Sequence, residues 1–455
     1  MTVTAILPVS SYDEETVGPA IRRIVASAVS GGDGPLARPR RDALVVVKPN
    51  WIQQSHEDAA EVWEPIITHP TIVLSTVDAL AEAMGGIGTI VVCDAPHTYA
   101  SFADIVARGG FAARLAELRR KWPQLGVECV DVRREVWTMH EGIIASRVRN
   151  ADDPRGYVRL DLATDSLFFG RGSEGRYYGA DYDQAGVNRH HRGRVHEYLI
   201  SGTAMKCDLF VNLPKLKTHK KTGVTCALKN LVGINGDKNW LPHHTEGNPA
   251  NGGDEFPEID WRSRVEARAK RLAHRFALRA GPAGTWILGK GRRVGTAMLG
   301  DSDSVVRNGN WHGNDTCWRM ALDLNRALLY GDATGSWRER GGRKPYLAIV
   351  DGIVGGEGNG PLSADAVASG VLIAGTDPAA VDATACRLMG FDPSELRIVA
   401  RAFDEHRWPI ATGSLADVRV DDERVGARIP LDAVEPAIPG GFRPHFGWQN
   451  LRRCA

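Results

Sequence analysis

The chain has 455 residues, a net charge of +1, 43% apolar and 24% charged residues. That length suits two or three ordinary domains, or one large α/β domain with insertions, and the composition is that of a soluble globular protein. Balanced charge gives no reason to expect specific nucleic-acid binding, so any basic patch is local.

Seven dispersed cysteines without a C-x-x-C pair fit reduced thiols and signal neither a zinc nor an iron–sulfur site. The opening "MTVTAILPVSSYDEE" lacks the basic and apolar regions of a signal peptide, and a cytoplasmic location is expected. "DALVVVKPN" is a β-branched strand ending at Lys48 and Asn50. "THPTIVLSTVDALAEAM" has helical apolar spacing, with Thr68 as the expected N-cap and Pro70 in the first turn. "GTIVVCDAP" is a second strand ending at Asp94, and a helix interrupted at Gly109–Gly110 leads to a third strand, "GVECVDV". This alternation predicts an α/β fold, a mostly parallel sheet covered by helices on both faces.

Residues 150–200 read as irregular. "CDLFVNLPK" restores the strand pattern, and "NLPKLKTHKKTGVTCALKNLVG", residues 212–233, reads as a strand end, a basic loop and a helix capped by Thr222. A long irregular and helical insertion follows, carrying a basic amphipathic segment over residues 261–279. "NDTCWRMALDLNRALLYG" is a helix, "KPYLAIVDG" and "GVLIAGTD" are strands joined by a glycine-rich turn, and two short helices each begin Asp-Pro. The expected divisions are an N-terminal α/β half over 40–235, the insertion over 236–310, a C-terminal half completing the sheet over 311–411, and a peripheral tail over 412–455.

Polar residues recur directly after the apolar strands, where open α/β sheets place ligands. Lys48, Asn50, Asn212 and Lys215 are expected to line such a crevice. Lys217 and His219 would stand before a helix N-terminus, whose free N–H groups favour an anion. Lys229 lies one turn beyond Thr225 on the same helix face, and Asn230 follows it. Trp311 and Asn314 are candidates for stacking on a ligand and hydrogen-bonding its edge, although Asn314 also suits a helix cap. Asp94, Asp351 and Asp377 could supply oxygen ligands to Mg²⁺ or another divalent cation, with capping as the plain alternative for Asp377. The glycine-rich segment "VDGIVGGEGNGP" lacks dinucleotide spacing, so no NAD signature is read.

Taken together, "VVVKPN", "NLPKLKTHKKTGVTCALKNLVG", "VDGIVGGEGNGP" and "VLIAGTDPAAVDATACRLMG" resemble the family called domain of unknown function 362, from about residue 43 to about 391. Some relatives carry a ferredoxin-type cysteine module. The chain lacks those cysteines, so no iron–sulfur cluster is carried over. The resemblance implies a role in polysaccharide or specialised-metabolite pathways by association only. The expectation is an enzyme acting on a phosphorylated or carboxylated small molecule. Lys217, His219 and Lys229 would be its catalytic groups, in Mg²⁺-assisted transfer or elimination. Proton abstraction by a lysine or histidine, as in an isomerase or racemase, is the alternative chemistry. A non-catalytic ligand-binding scaffold is the alternative class, meeting an anionic membrane or a partner protein through residues 261–279.

Overall fold

The computed structural model describes residues 2–29, 34–36, 38–140, 143–179, 184–258, 306–338 and 342–454. The basic segment 261–279 lies outside them. Eleven strands form one sheet: β1 (Thr2–Pro8), β2 (Leu44–Pro49), β3 (Gly88–Asp94), β4 (Leu125–Asp131), β5 (Leu209–Leu213), β6 (Lys215–His219), β7 (Gly223–Val224), β8 (Tyr346–Asn359), β9 (Ser363–Gly375), β10 (Val418–Asp422) and β11 (Ala427–Pro430). Their order is β11-β10-β1-β9-β8-β5-β2-β3-β4, with β6 between β8 and β7. Six pairings are parallel and four antiparallel, so the sheet is mixed but mostly parallel. The expected α/β class holds.

Alternation along the β-branched strands builds two cores, one on each face of the sheet. Val45 and Val47 of β2 pack with α1 (Glu14–Val29) and α2 (Pro70–Ala83), where Ile21, Val25, Ile72 and Val77 are fully or nearly fully buried. The intervening Val46 faces the other core, with α6 (Cys317–Tyr330) and α7 (Pro378–Leu388). Burying each such side chain stabilises the fold by about 1.5–3 kcal/mol. Between β3 and β4, α3 (Phe102–Ala107) and α4 (Phe111–Lys121) are separated by Gly109 and Gly110 at φ 54° and 68°, the interruption expected there. Among the described residues no helix is long and apolar enough to cross a membrane.

Four expectations are corrected. Thr68 does not cap α2: His69 does, its Nδ1 accepting from Thr71 N–H. The Thr68 hydroxyl instead ties β2 to β5, accepting from Asn50 N–H and donating to Leu213 O. The glycine-rich "turn" is the interior of a long antiparallel hairpin, β8 with β9. Close packing requires glycine at Gly356 within β8 and at Gly360 in the turn: a Cβ at Gly356 would lie 3.0 Å from Lys217 Cβ and 2.8 Å from Pro65 O, and one at Gly360 would lie 2.1 Å from Thr218 O. The tail is not peripheral, because β10 pairs in parallel with β1 and Val418, Val420 and Phe442 are fully buried. Finally, residues 150–200 contain an ordered small sheet, in which Val195–Ser201 pairs with Tyr157–Asp161 and His191–Arg192.

Candidate functional site

The lysine-rich segment departs most from its expected form. Pro214 breaks the strand after Leu213, and the chain resumes as β6 beside β8, with Lys215 opposite Asp351 and Lys217 opposite Gly356. Every residue of β6 is buried. Lys215 and Lys217 are therefore interior side chains on a strand, not loop residues before a helix.

Lys215 Nζ donates to Asp351 Oδ2 at 2.9 Å and to Tyr12 Oη at 2.9 Å, and Tyr12 donates to Asp351 Oδ1. Burial lowers the Lys215 pKa while Asp351 raises it. Lys217 Nζ has no carboxylate partner among the described residues; it donates to Ile66 O and Pro361 O. Burial, then Lys215, pushes its pKa well below the ordinary value.

A second network closes the ends of β2, β3 and β5. Lys48 Nζ pairs with Asp94 Oδ1 at 2.8 Å, both groups almost fully buried, and also donates to Asn230 Oδ1 and Pro49 O. Asn230 Nδ2 donates to Asn212 Oδ1, Asn212 Nδ2 to Ala227 O and Tyr346 Oη, and Asn50 Nδ2 to Asn230 Oδ1. The glycine ending "KNLVG" belongs to this network: a Cβ on Gly233 would lie 1.9 Å from Asp94 Oδ1. Lys48, Asn50, Asn212 and Asn230 are thus brought together, as a frame whose groups largely satisfy one another.

The helix expected after the lysines is a short one, α5 (Cys226–Asn230), with Thr225 rather than Thr222 at its N-cap. Its first amides are already occupied. Ala227 N–H and Leu228 N–H donate to the two carboxylate oxygens of the fully buried Asp382, at 2.6 and 2.9 Å. The carboxylate of α7 fills the place expected for a ligand, so the helix terminus is not the anion site.

What remains open is Lys229. The residue is 7% exposed, and its ammonium has no hydrogen-bond or carboxylate partner among the described residues. Burial, then Lys48, lowers its pKa, with the Cys317 thiol acting the other way. One turn earlier, the buried Thr225 Oγ1 also lacks a partner, as does Nδ1 of His97, three residues beyond β3. His219 and His243 complete the cluster. The pKa of each falls well below 6.5, through burial and then the charge of Lys229. His97 is lowered to about 3 by burial, Lys238, Lys220, Arg133 and Lys229. No carboxylate is among the main electrostatic influences on Lys229 or on these three histidines. Lys221, lowered to about 8 by burial, adds to the same positive region and donates to Asn308 O.

The carboxylates expected at a metal do not converge. Asp94 accepts from Lys48, Trp51 N–H and Ala95 N–H, and Asp351 from Lys215, Tyr12 and His69 N–H. Asp377 caps α7, accepts from Thr412, and follows an antiparallel strand whose Gly375 pairs with Ala348 near the start of β8. Among the described residues no three His, Cys, Asp or Glu side chains gather as a metal site, and the aspartates present do not fit one. Asn314 Oδ1 accepts from Thr316 N–H and Cys317 N–H just before α6, whose N-cap is Thr316, and its Nδ2 donates to His243 O. Trp311, its Nε1 donating to Asp254 O, lines a separate cavity of about 210 Å³ with His312, Phe446 and Gly447. His97 escapes a sequence reading because a lone histidine after a strand carries no spacing signal, and His243 because its neighbour His244 suggests a surface pair.

The fold is thus that of an α/β protein whose mostly parallel sheet carries a lysine–histidine cluster beyond its strand ends, and among the described residues no carboxylate is a main electrostatic influence on Lys229 or its three histidines. Residues 173–387 match the family model described as a domain of unknown function, DUF362. The match takes in β5 to β9 and the whole lysine-rich segment; "VVVKPN" lies before it. No curated protein matches the chain.

Proposed function

We propose that the protein is an enzyme that binds a small phosphorylated or carboxylated molecule at the cluster around Lys229. The observation that carries this reading is the Lys229 ammonium itself, desolvated and without a counter-charge among the described residues. Such a group is costly unless something pairs with it. An anion supplied by a ligand would do so, and Thr225 Oγ1 and the histidines would supply hydrogen bonds to its remaining oxygens. Fixed positive charge in a buried site also stabilises negative charge that develops during transfer, elimination or proton abstraction. The roles expected for the other lysines change accordingly. Lys48, Lys215 and Lys217 would hold the frame, while Lys229, with His219, would meet the ligand. No protein-held metal enters the proposal, since Asp94, Asp351 and Asp377 are engaged elsewhere.

The test is thermal and calorimetric titration of the full chain with inorganic phosphate, phosphate monoesters and simple carboxylates. A ligand at one hundred times its dissociation constant would stabilise the fold by about 2.7 kcal/mol, and Lys229→Met would abolish that gain. Absence of any anion-dependent stabilisation in the wild type, or its persistence in Lys229→Met, would overturn the proposal.

A further inference from the structure

The two histidines beside Lys229 present opposite chemistry to the site. His219 Nδ1 accepts from the backbone N–H of Lys221 at 3.0 Å, so this nitrogen carries a lone pair and the proton of the neutral ring sits on Nε2. His243 Nδ1 lies 2.8 Å from the carbonyl of Leu241. A carbonyl only accepts, so here Nδ1 holds the proton and Nε2 holds the lone pair. Both rings are kept neutral by the same cause, burial beside Lys229 and Lys221. The site thus offers one cation, one N–H donor and one nitrogen acceptor. His243 is only half-buried, which leaves its ring within reach of a ligand.

We infer that the site selects an oxyanion that carries its own O–H, hydrogen phosphate being the simplest, with Lys229 meeting the charge, His219 Nε2–H donating and His243 Nε2 accepting the ligand's proton in a hydrogen bond. This rests on the anion-site reading and sharpens it. An oxyanion with no proton turns a lone pair toward His243 Nε2 and, by covering that acceptor, leaves it without a partner, which is where such sites reject analogues most strongly. Sulfate matches phosphate in shape and charge but carries no proton at neutral pH. The same logic separates a hydroxycarboxylate from its deoxy analogue.

The experiment is calorimetric titration of the full chain at neutral pH and constant ionic strength with sodium phosphate and sodium sulfate, repeated with lactate and propionate. The expected result is phosphate binding at least about tenfold tighter than sulfate, a difference of about 1.4 kcal/mol, and lactate tighter than propionate if the physiological ligand is a carboxylate. His243→Phe would bring phosphate down to the level of sulfate, and Lys229→Met would remove both. Equal affinity for phosphate and sulfate, dependent on Lys229, would overturn this inference and leave the anion site standing. No Lys229-dependent binding of any of the four anions would overturn both. Should His243→Phe fail to fold, long-range ¹⁵N–¹H correlation spectra of histidine-labelled wild type decide the matter. An Nε2–H tautomer at His243, or an Nδ1–H tautomer at His219, would refute the arrangement.

Discussion

Gly233→Ala tests how the Lys48–Asp94 pair is held. Gly233 does not need a left-handed φ, so backbone freedom is not its role. A Cβ there would lie 1.9 Å from Asp94 Oδ1 and 2.6 Å from Lys48 Nζ, where real Cβ contacts almost never fall below 3.0 Å. The carboxylate would have to retreat by about 1 Å in a close-packed interior. It has nowhere to go, since Oδ2 is held by Trp51 N–H and Oδ1 by Ala95 N–H. Moving the Gly233 backbone instead would break the 2.8 Å bond from Ala95 N–H to Gly233 O. Overpacking alone costs about 1–3 kcal/mol, and breaking a buried ion pair costs about 3–5 kcal/mol, so the expected loss is about 3 kcal/mol or more. Urea denaturation followed by tryptophan fluorescence measures it. Gly18→Ala in α1 is the control: its added Cβ meets nothing closer than Arg22 Nη1 at 3.5 Å, and it should stabilise by up to about 1 kcal/mol. If Gly233→Ala unfolds within about 0.5 kcal/mol of wild type, the margin for an unremarkable substitution, the account of this network is wrong.

Lys229→Met should be more stable than wild type in anion-free buffer by about 1 kcal/mol or more, because it removes a desolvated charge; a less stable variant would mean that the lysine is already paired. Asp382→Ala should cost at least about 2 kcal/mol, since it orphans two buried amides, and should speed hydrogen exchange at Ala227 and Leu228; unchanged exchange would show that the carboxylate does not hold α5. His191 is fully buried, its Nε2 2.8 Å from Trp240 O, and burial lowers its pKa to about 3. Above the unfolded value near 6.5 both states are neutral and the residue has no pH effect. Below that value the unfolded state binds the extra proton, so stability falls as pH drops toward 3. By about pH 5 the loss from this one group is about 2 kcal/mol relative to pH 7. The acid limb of a stability–pH profile should therefore be shallower by that amount in His191→Phe, and an identical limb would refute the assignment.

Much of the fold was legible because it rests on local rules. The runs "ALVVV", "TIVVC" and "LFV" each form a strand, Gly109–Gly110 breaks its helix, and Asp377 and Asp392 both cap where Asp precedes Pro. The lysines misled because charge on a sequence reads as exposure. Lys215 and Lys217 are fully buried only because Asp351, from β8, and the carbonyls of Ile66 and Pro361 arrive from distant parts of the chain. The glycine-rich segment misled similarly. Glycines that look like a loop are needed in a strand when another strand's backbone and side chains press against them, and that pressure is invisible one residue at a time.

By itself the sequence determined the α/β class, the strand ends where polar groups collect, and the two Asp-Pro caps, because periodicity and this capping pattern act over a few neighbouring residues. Only the tertiary structure decided which cations face one another and which face a partner. Asp382 fills the helix terminus expected to hold an anion, while Lys229, four residues along, receives no such partner among the described residues. Both outcomes depend on which carboxylate packing delivers to each positive group, and electrostatic pairing is set by distance in space, not by distance along the chain.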